Sequence, residues 1–195
     1  DLPEKCAMSL EAVVIGASAG GVHALLQVLP ALPADFPAAI LVVVHVPPRR
    51  DNAIVGLLAE RCRLPVKEAE DKEPIVPGTI YMGPADYHLL VENEGTIALS
   101  SDEAVNHSRP AIDVLFESAA DAFGERLAGI IMTGANHDGA RGLRAVYDAG
   151  GHAIVQNPAT AEVAYMPEAA LAACPAARVI DLEDMPSALE EMLDQ

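Results

Sequence analysis

The sequence predicts an α/β fold: a doubly wound, mostly parallel sheet with an antiparallel hairpin insert, in one domain over residues 1–195. Three observations carry this. Short unbroken apolar runs such as AILVVV at 39–44 have the pattern of strands buried on both faces. Segments of helical spacing alternate with them, as parallel strands require of their crossovers. Between 78 and 99 the pattern changes to short runs split by Gly-Pro-Ala-Asp and Asn-Glu-Gly, as in antiparallel pairs.

The elements follow in order. Residues 11–15 are a short apolar run closed by glycines, hence a first strand. Helical spacing over 22–29 ends at Pro30 and Pro33. The run 39–45 is the second strand, 52–61 a helix with apolar Ile54, Val55, Leu57 and Leu58, and 64–66 a short strand. The runs 79–82, 88–91 and 96–99 read together as an antiparallel meander. An amphipathic helix over 111–123 leads to a buried strand at 127–132, and TGANHDG at 133–139 follows it. A helix over 139–149 stops at Gly150-Gly151, and 152–155 is the next strand. A helix at 167–173, a strand at 178–180 and a terminal helix at 186–193 complete the chain, with 1–10 and 187–195 as peripheral segments.

Composition narrows the class. The chain has 195 residues, 51% of them hydrophobic, but no Trp and only 4% aromatic, so its core is built from small and β-branched side chains. A formal charge of −17 opposes contact with nucleic-acid phosphates and anionic lipid, so neither is expected as a partner. No apolar run reaches the roughly 18 residues of a membrane span, and direct membrane insertion is not expected. The opening DLPEK lacks the basic and apolar blocks of a signal peptide. Cys6, Cys62 and Cys174 are odd in number and widely spaced, which argues against a disulfide framework or zinc site and for a reducing compartment. A cytoplasmic protein is the expectation.

The chemistry starts at VVIGASAGG, residues 13–21. One reading is a dinucleotide loop, but Ser18 stands at its middle glycine, and the candidate acid Asp35 lies in a turn rather than at the end of the second strand. The other is a serine nucleophile, which needs a histidine to take its proton and an acid to orient that histidine. Ligands of doubly wound sheets bind outside the carboxyl ends of the strands. Ser18 follows strand one, His45 closes strand two, and Asp138 follows the strand at 127–132. Each also has an ordinary structural role open to it: a turn serine, a strand-end cap, and a helix N-cap before Gly139. Spacing alone leaves both readings open. The order Ser, His, Asp differs from the Ser, acid, His of the α/β-hydrolases.

Several ordered segments resemble a known family over about residues 13–179. They are IGASAGG at 15–21, VHVP at 44–47, VKEAED at 66–71, PGTIYMGPADYH at 77–88, SRPAIDVLF at 108–116, TGANHDG at 133–139 and Met166-Pro167. On them the chain is similar to the catalytic domain of CheB-type chemotaxis protein-glutamate methylesterases. The resemblance implies removal of methyl esters from glutamates of chemoreceptor cytoplasmic helices, with deamidation of receptor glutamines in some members. It implies Ser18 as nucleophile, His45 as base and Asp138 as the orienting acid. The backbone amides of Ala19 and Ala135 would form the oxyanion hole, and no metal or organic cofactor is implied. The methylated receptor helix is the implied partner, with a regulatory domain or partner outside this chain as a second.

The chain departs from the family in two respects. Ala135-Asn136 stands where the family often has Met-Gly, which leaves a backbone donor but changes the side chains around it. Family members with a receiver domain carry it before the catalytic domain, whereas only about a dozen residues precede strand one here. The chain is therefore either a standalone esterase or a piece of a larger protein. An esterase for another acyl group and a non-catalytic receptor-docking module are the alternatives. Among other polar residues, His137 is expected at the rim, and His23 and His152 in structural roles. Arg109, Asp113 and His88 are expected either to support the pocket or to brace the fold. Arg49 and Arg50 would supply positive charge near the site, either to steer an acidic helix or as solvated loop residues.

Overall fold

The computed structural model describes residues 9–46 and 51–195. Its elements in chain order are β1 (Ala12–Ala17), α1 (Gly21–Val28), β2 (Ala39–Val44), α2 (Asp51–Arg61), β3 (Val66–Glu68), β4 (Ile80–Met82), β5 (His88–Val91), β6 (Ile97–Ser100), α3 (Ile112–Phe123), β7 (Leu127–Ile131), α4 (Ala140–Asp148), β8 (His152–Gln156), α5 (Tyr165–Ala173), β9 (Arg178–Ile180) and α6 (Met185–Leu193). Seven strands form one parallel sheet in the order β3-β4-β2-β1-β7-β8-β9. Strand β1 is its centre, with β2 on one side and β7 on the other. β5 and β6 pair antiparallel as a separate hairpin.

The alternation of side chains along the central strands feeds two cores. Val13, Ile15 and Ala17 of β1, with Ile40 and Val42 of β2, meet Leu25 and Val28 of α1, Leu58 of α2 and Leu189 and Met192 of α6. Ala12 and Val14, with Leu41 and Val43, meet Leu115 and Phe116 of α3, Leu143 and Val146 of α4 and Met166 of α5. Both faces are covered, which is why these strands read as continuous apolar runs. The hairpin adds Leu89, Val91 and Ile97 to the second core. Small residues let α3 and α4 approach closely: a Cβ on Gly142 would lie 2.5 Å from the Phe116 Cβ.

Two expectations need correcting. Residues 79–82 are not part of a meander: β4 lies parallel between β2 and β3, with Ile40 opposite Ile80 and Val66 opposite Ile80 on the other side. All three of its residues are buried, as in a strand covered on both faces, but three residues are too few to separate that pattern from alternation. The terminal helix is not peripheral, because Ala188, Leu189 and Met192 are buried in the first core. The positions of Arg49 and Arg50 fall outside the described residues.

Phe116 is fully buried at the junction of α3, α4 and the sheet. Phe116→Ala is expected to lower unfolding stability by about 3–5 kcal/mol through lost burial and a residual cavity. Urea unfolding of both proteins measures this.

Candidate active site

The carboxyl ends of β2, β1 and β7 lie side by side, and each releases one candidate residue. His45 follows β2 and donates its backbone N–H to Ala17 O at 3.0 Å. Ser18 follows β1, donates its N–H to Thr133 O at 3.0 Å, and accepts from Gly21 N at 2.8 Å as the chain turns into α1. Thr133 begins the loop after β7 that carries Ala135, Asn136 and Asp138. The Thr133 hydroxyl donates to Ala19 O at 2.9 Å and accepts from Val163 N at 2.8 Å, while Thr133 N donates to Gln156 Oε1 at 2.9 Å. These bonds tie the serine turn to its neighbour. At Gly134 a Cβ would meet the Ser18 Oγ and the Met166 sulfur at 2.6 Å, so only glycine permits the approach.

The carboxylate of Asp138 is fully buried yet has four donors. Oδ2 accepts from Ile112 N at 2.6 Å and faces His45 Nε2 at 2.9 Å, and Oδ1 accepts from Asn106 Nδ2 at 2.9 Å and Asp113 N at 3.1 Å. Ile112 and Asp113 open α3, so Asp138 satisfies amides that the helix itself leaves unpaired. Asp113 does the reverse: its carboxylate accepts from Gly139 N at 3.0 Å and Gly142 N at 2.7 Å, at the start of α4. Asn106 Nδ2 bridges the two acids, 2.7 Å from Asp113 Oδ2. Burial pushes the Asp138 carboxyl up, but the bonds from His45, Ile112 N, Asn106 and Asp113 N outweigh it and hold the group below the ordinary carboxylate range.

The remaining ring nitrogen of His45, Nδ1, lies 3.2 Å from Asn136 Nδ2, and Asn136 Oδ1 accepts from Asp138 N at 2.9 Å. The Ser18 hydroxyl, on a residue only 8% exposed, accepts from Ala135 N at 2.9 Å. The structure thus brings His45 to Asp138 and Ser18 to the Ala135 amide, while Ser18 and His45 face one groove without a hydrogen bond between them. That groove, of about 620 Å³, is lined by Ser18, Ala19, His45, Val46, Ile54 and Leu57 among others.

The other polar candidates separate clearly. His137 is exposed beside the buried Asp138. His23 is exposed on α1, 3.9 Å from Glu162. His152 begins β8, where burial and then Arg178 push its imidazole below the ordinary histidine range. His88 is buried as a brace: its Nε2 lies 2.8 Å from Glu103 O, and its Nδ1 accepts from Ala111 N at 3.2 Å. Arg109 donates to the carbonyls of Ser101 and Asp102 at 3.0 and 3.2 Å. Asp113 is a helix cap. Asn106, Thr133 and Gln156 were missed from sequence, since a lone amide or hydroxyl has no pattern until its partners are placed. Asn136 stands out in the sequence as a departure from the family pattern, but its contact with His45 comes only from the fold.

The sequence profile described as CheB methylesterase matches residues 13–189. This chain belongs to the CheB methylesterase family. A relative from Leptospira interrogans is 47% identical over 176 residues, covering 90% of this chain and 91% of its own. A protein-glutamate methylesterase/protein-glutamine glutaminase from Anaeromyxobacter dehalogenans is 41% identical over 186 residues, covering 95% of this chain. This chain spans 54% of that longer relative. The crystal structure of the Thermotoga maritima CheB methylesterase catalytic domain superposes with a TM-score of 0.90 at 35% identity, covering 94% of this chain and 99% of its own. The seven-stranded sheet with its hairpin is therefore the CheB catalytic fold, and CheB methylesterases are hydrolases.

The Asp138 carboxyl is held lower in the folded chain than in the unfolded one, so its stabilisation is complete above the unfolded value near ~3.9 and is lost as pH falls through the folded value. Unfolding free energy should drop on acidification below about pH 4. Asp138→Asn, which cannot ionise, should be less stable at neutral pH and lose less on acidification. Urea titrations at pH 7 and pH 3 compare the two; equal acid slopes would reject this role for Asp138.

Proposed function

We propose that the chain hydrolyses γ-glutamyl methyl esters on the cytoplasmic helices of chemoreceptors, with Ser18, His45 and Asp138 as its catalytic group. The observation that carries this is the join of a buried, fully bonded Asp138 to His45 beside a serine whose hydroxyl already meets a backbone donor. The names of the longer relatives support the substrate and add glutamine deamidation as a second reaction of the same site.

The hydroxyl of Ser18 adds to the ester carbonyl while His45 takes its proton, and Asp138 stabilises the imidazolium without taking that proton itself. The carbonyl oxygen becomes an oxyanion. The Ala135 N–H, which meets Ser18 Oγ in the free site, is available to this oxygen once the hydroxyl swings toward His45, and Ala19 N–H supplies the second donor. One such donor is worth about 2.7–4 kcal/mol to the transition state in comparable acyl transfer. Collapse breaks the C–O bond, and the His45 proton leaves with methanol. Water then adds to the acyl-serine by the same route, freeing glutamate and restoring Ser18. With glutamine the first leaving group is ammonia. The apolar wall of Val46, Ile54 and Leu57 suits the methyl end of an ester and the stem of a glutamyl side chain.

Ser18→Ala should leave the fold intact and cut methanol release from methylated receptor fragments by a factor of about 10⁴ or more. Gas chromatography of methanol, with circular dichroism as the folding control, measures it. Full activity in a folded Ser18→Ala protein overturns the assignment. If the wild-type protein releases no methanol but a phosphonate ester labels Ser18, the substrate is another acyl group.

A further inference from the structure

Resting on the hydrolase reading of this site, we propose that Asn136 is a positioning residue that selects the working tautomer of His45 and caps its basic nitrogen in the free enzyme. The carboxamide orientation follows from its own contacts. Asp138 N is a donor, so the Asn136 atom 2.9 Å from it is the oxygen, and the atom 3.2 Å from His45 Nδ1 is the NH₂ group. A donor at that distance needs an acceptor, so Nδ1 carries the lone pair. The proton then sits on Nε2, which donates it to Asp138 Oδ2 at 2.9 Å. Turning the ring over would set carbon atoms against both partners, so the two contacts fix ring and tautomer together.

Asp138 alone does not achieve this. A carboxylate favours a proton on the nitrogen facing it and equally favours the doubly protonated imidazolium, which is no base. The Asn136 donor acts oppositely, because it bonds only the ring with a free lone pair. Asp138 sets which nitrogen holds the proton, and Asn136 keeps the other nitrogen empty. The same contact occupies the nitrogen that must receive the Ser18 proton. The amide therefore turns aside when substrate draws Ser18 toward the ring, and returns when product leaves. Among the described residues, the terminal nitrogens of Arg109 and the carboxylate of Glu162 face partners other than His45. Arg109 binds the Ser101 and Asp102 carbonyls and lies 3.6 Å from Asp86, and Glu162 faces His23 across the groove rim at 3.9 Å.

Two variants separate this from a role in loop shape alone. Asn136→Asp keeps an oxygen for Asp138 N but presents an acceptor to Nδ1, so the ring takes a second proton. Asn136→Ala loses both contacts and leaves Nδ1 free. In the wild-type protein, ¹⁵N resonances of His45 should show protonated Nε2 and unprotonated Nδ1 at neutral pH. Asn136→Asp should show both nitrogens protonated, and its kcat/KM should fall by on the order of 100-fold, the worth of a general base. Asn136→Ala should lose less than about tenfold, the scale of one neutral hydrogen bond. A purely structural role gives the reverse order, with Asp tolerated and Ala impaired, and that order overturns the proposal. So does protonated Nδ1 in the wild-type protein, a reading that needs no variant to fold. Should the wild-type protein show no methyl-ester hydrolysis, the substrate reading fails, while the ¹⁵N pattern still decides the tautomer.

Discussion

Two buried carboxylates, each capping the helix that carries the other, are the constraint on which the site depends. Asp138 precedes α4 and holds the first amides of α3; Asp113 lies in the first turn of α3 and holds those of α4. Neither helix start has a side-chain cap of its own at the N-cap position. Each acid is thus fixed by a helix that the other acid anchors, and Asn106 offers one NH₂ group to both. Removing either acid leaves buried amides unpaired at one helix and loosens the other, which makes the pair cooperative in the manner of a satisfied polar network.

This arrangement explains how an ionised Asp138 persists away from solvent. Four donors replace water, and three of them are neutral amide groups fixed by backbone or by a bridging side chain. The fourth, His45, is therefore met by a carboxylate that is already held in place. Helix packing and site chemistry share the same atoms. Close contact between α3 and α4, permitted by Gly142 against Phe116, brings the two acids within reach of one amide.

The serine side of the site depends on different forces. Hydrogen bonds from the strand ends place Ser18, and the Thr133 hydroxyl stitches its turn to the neighbouring loop. Gly134 and Met166 close the space around Oγ. The hydroxyl rests on the Ala135 amide, and the base rests on the Asn136 amide. Both side chains therefore have a partner in the free site, and adjacent residues of one loop supply the two donors. Residues 135 and 136 thus meet the Ser18 hydroxyl and the His45 ring respectively.

Much of the fold was legible along the chain because it rests on local pattern. Unbroken apolar runs announced β1, β2 and β7, helical spacing announced α1, α3 and α4, and glycine turns placed Ser18 and Asp138 just past their strands. The ladder of β1 between β2 and β7 then decided that three loops, scattered over some 120 residues of sequence, meet at one edge. The role of β4 escaped because three residues carry no period, and its partners lie far away in sequence. What the chain by itself determined was the family, and the placing of a serine, a histidine and an acid just past the ends of strands. What only the tertiary structure decided was how these groups are held: Asp113 and Asp138 as reciprocal caps, Asn106 between them, Asn136 against the ring. A polar side chain's partner is set by distance across the fold, and no spacing in sequence records that distance.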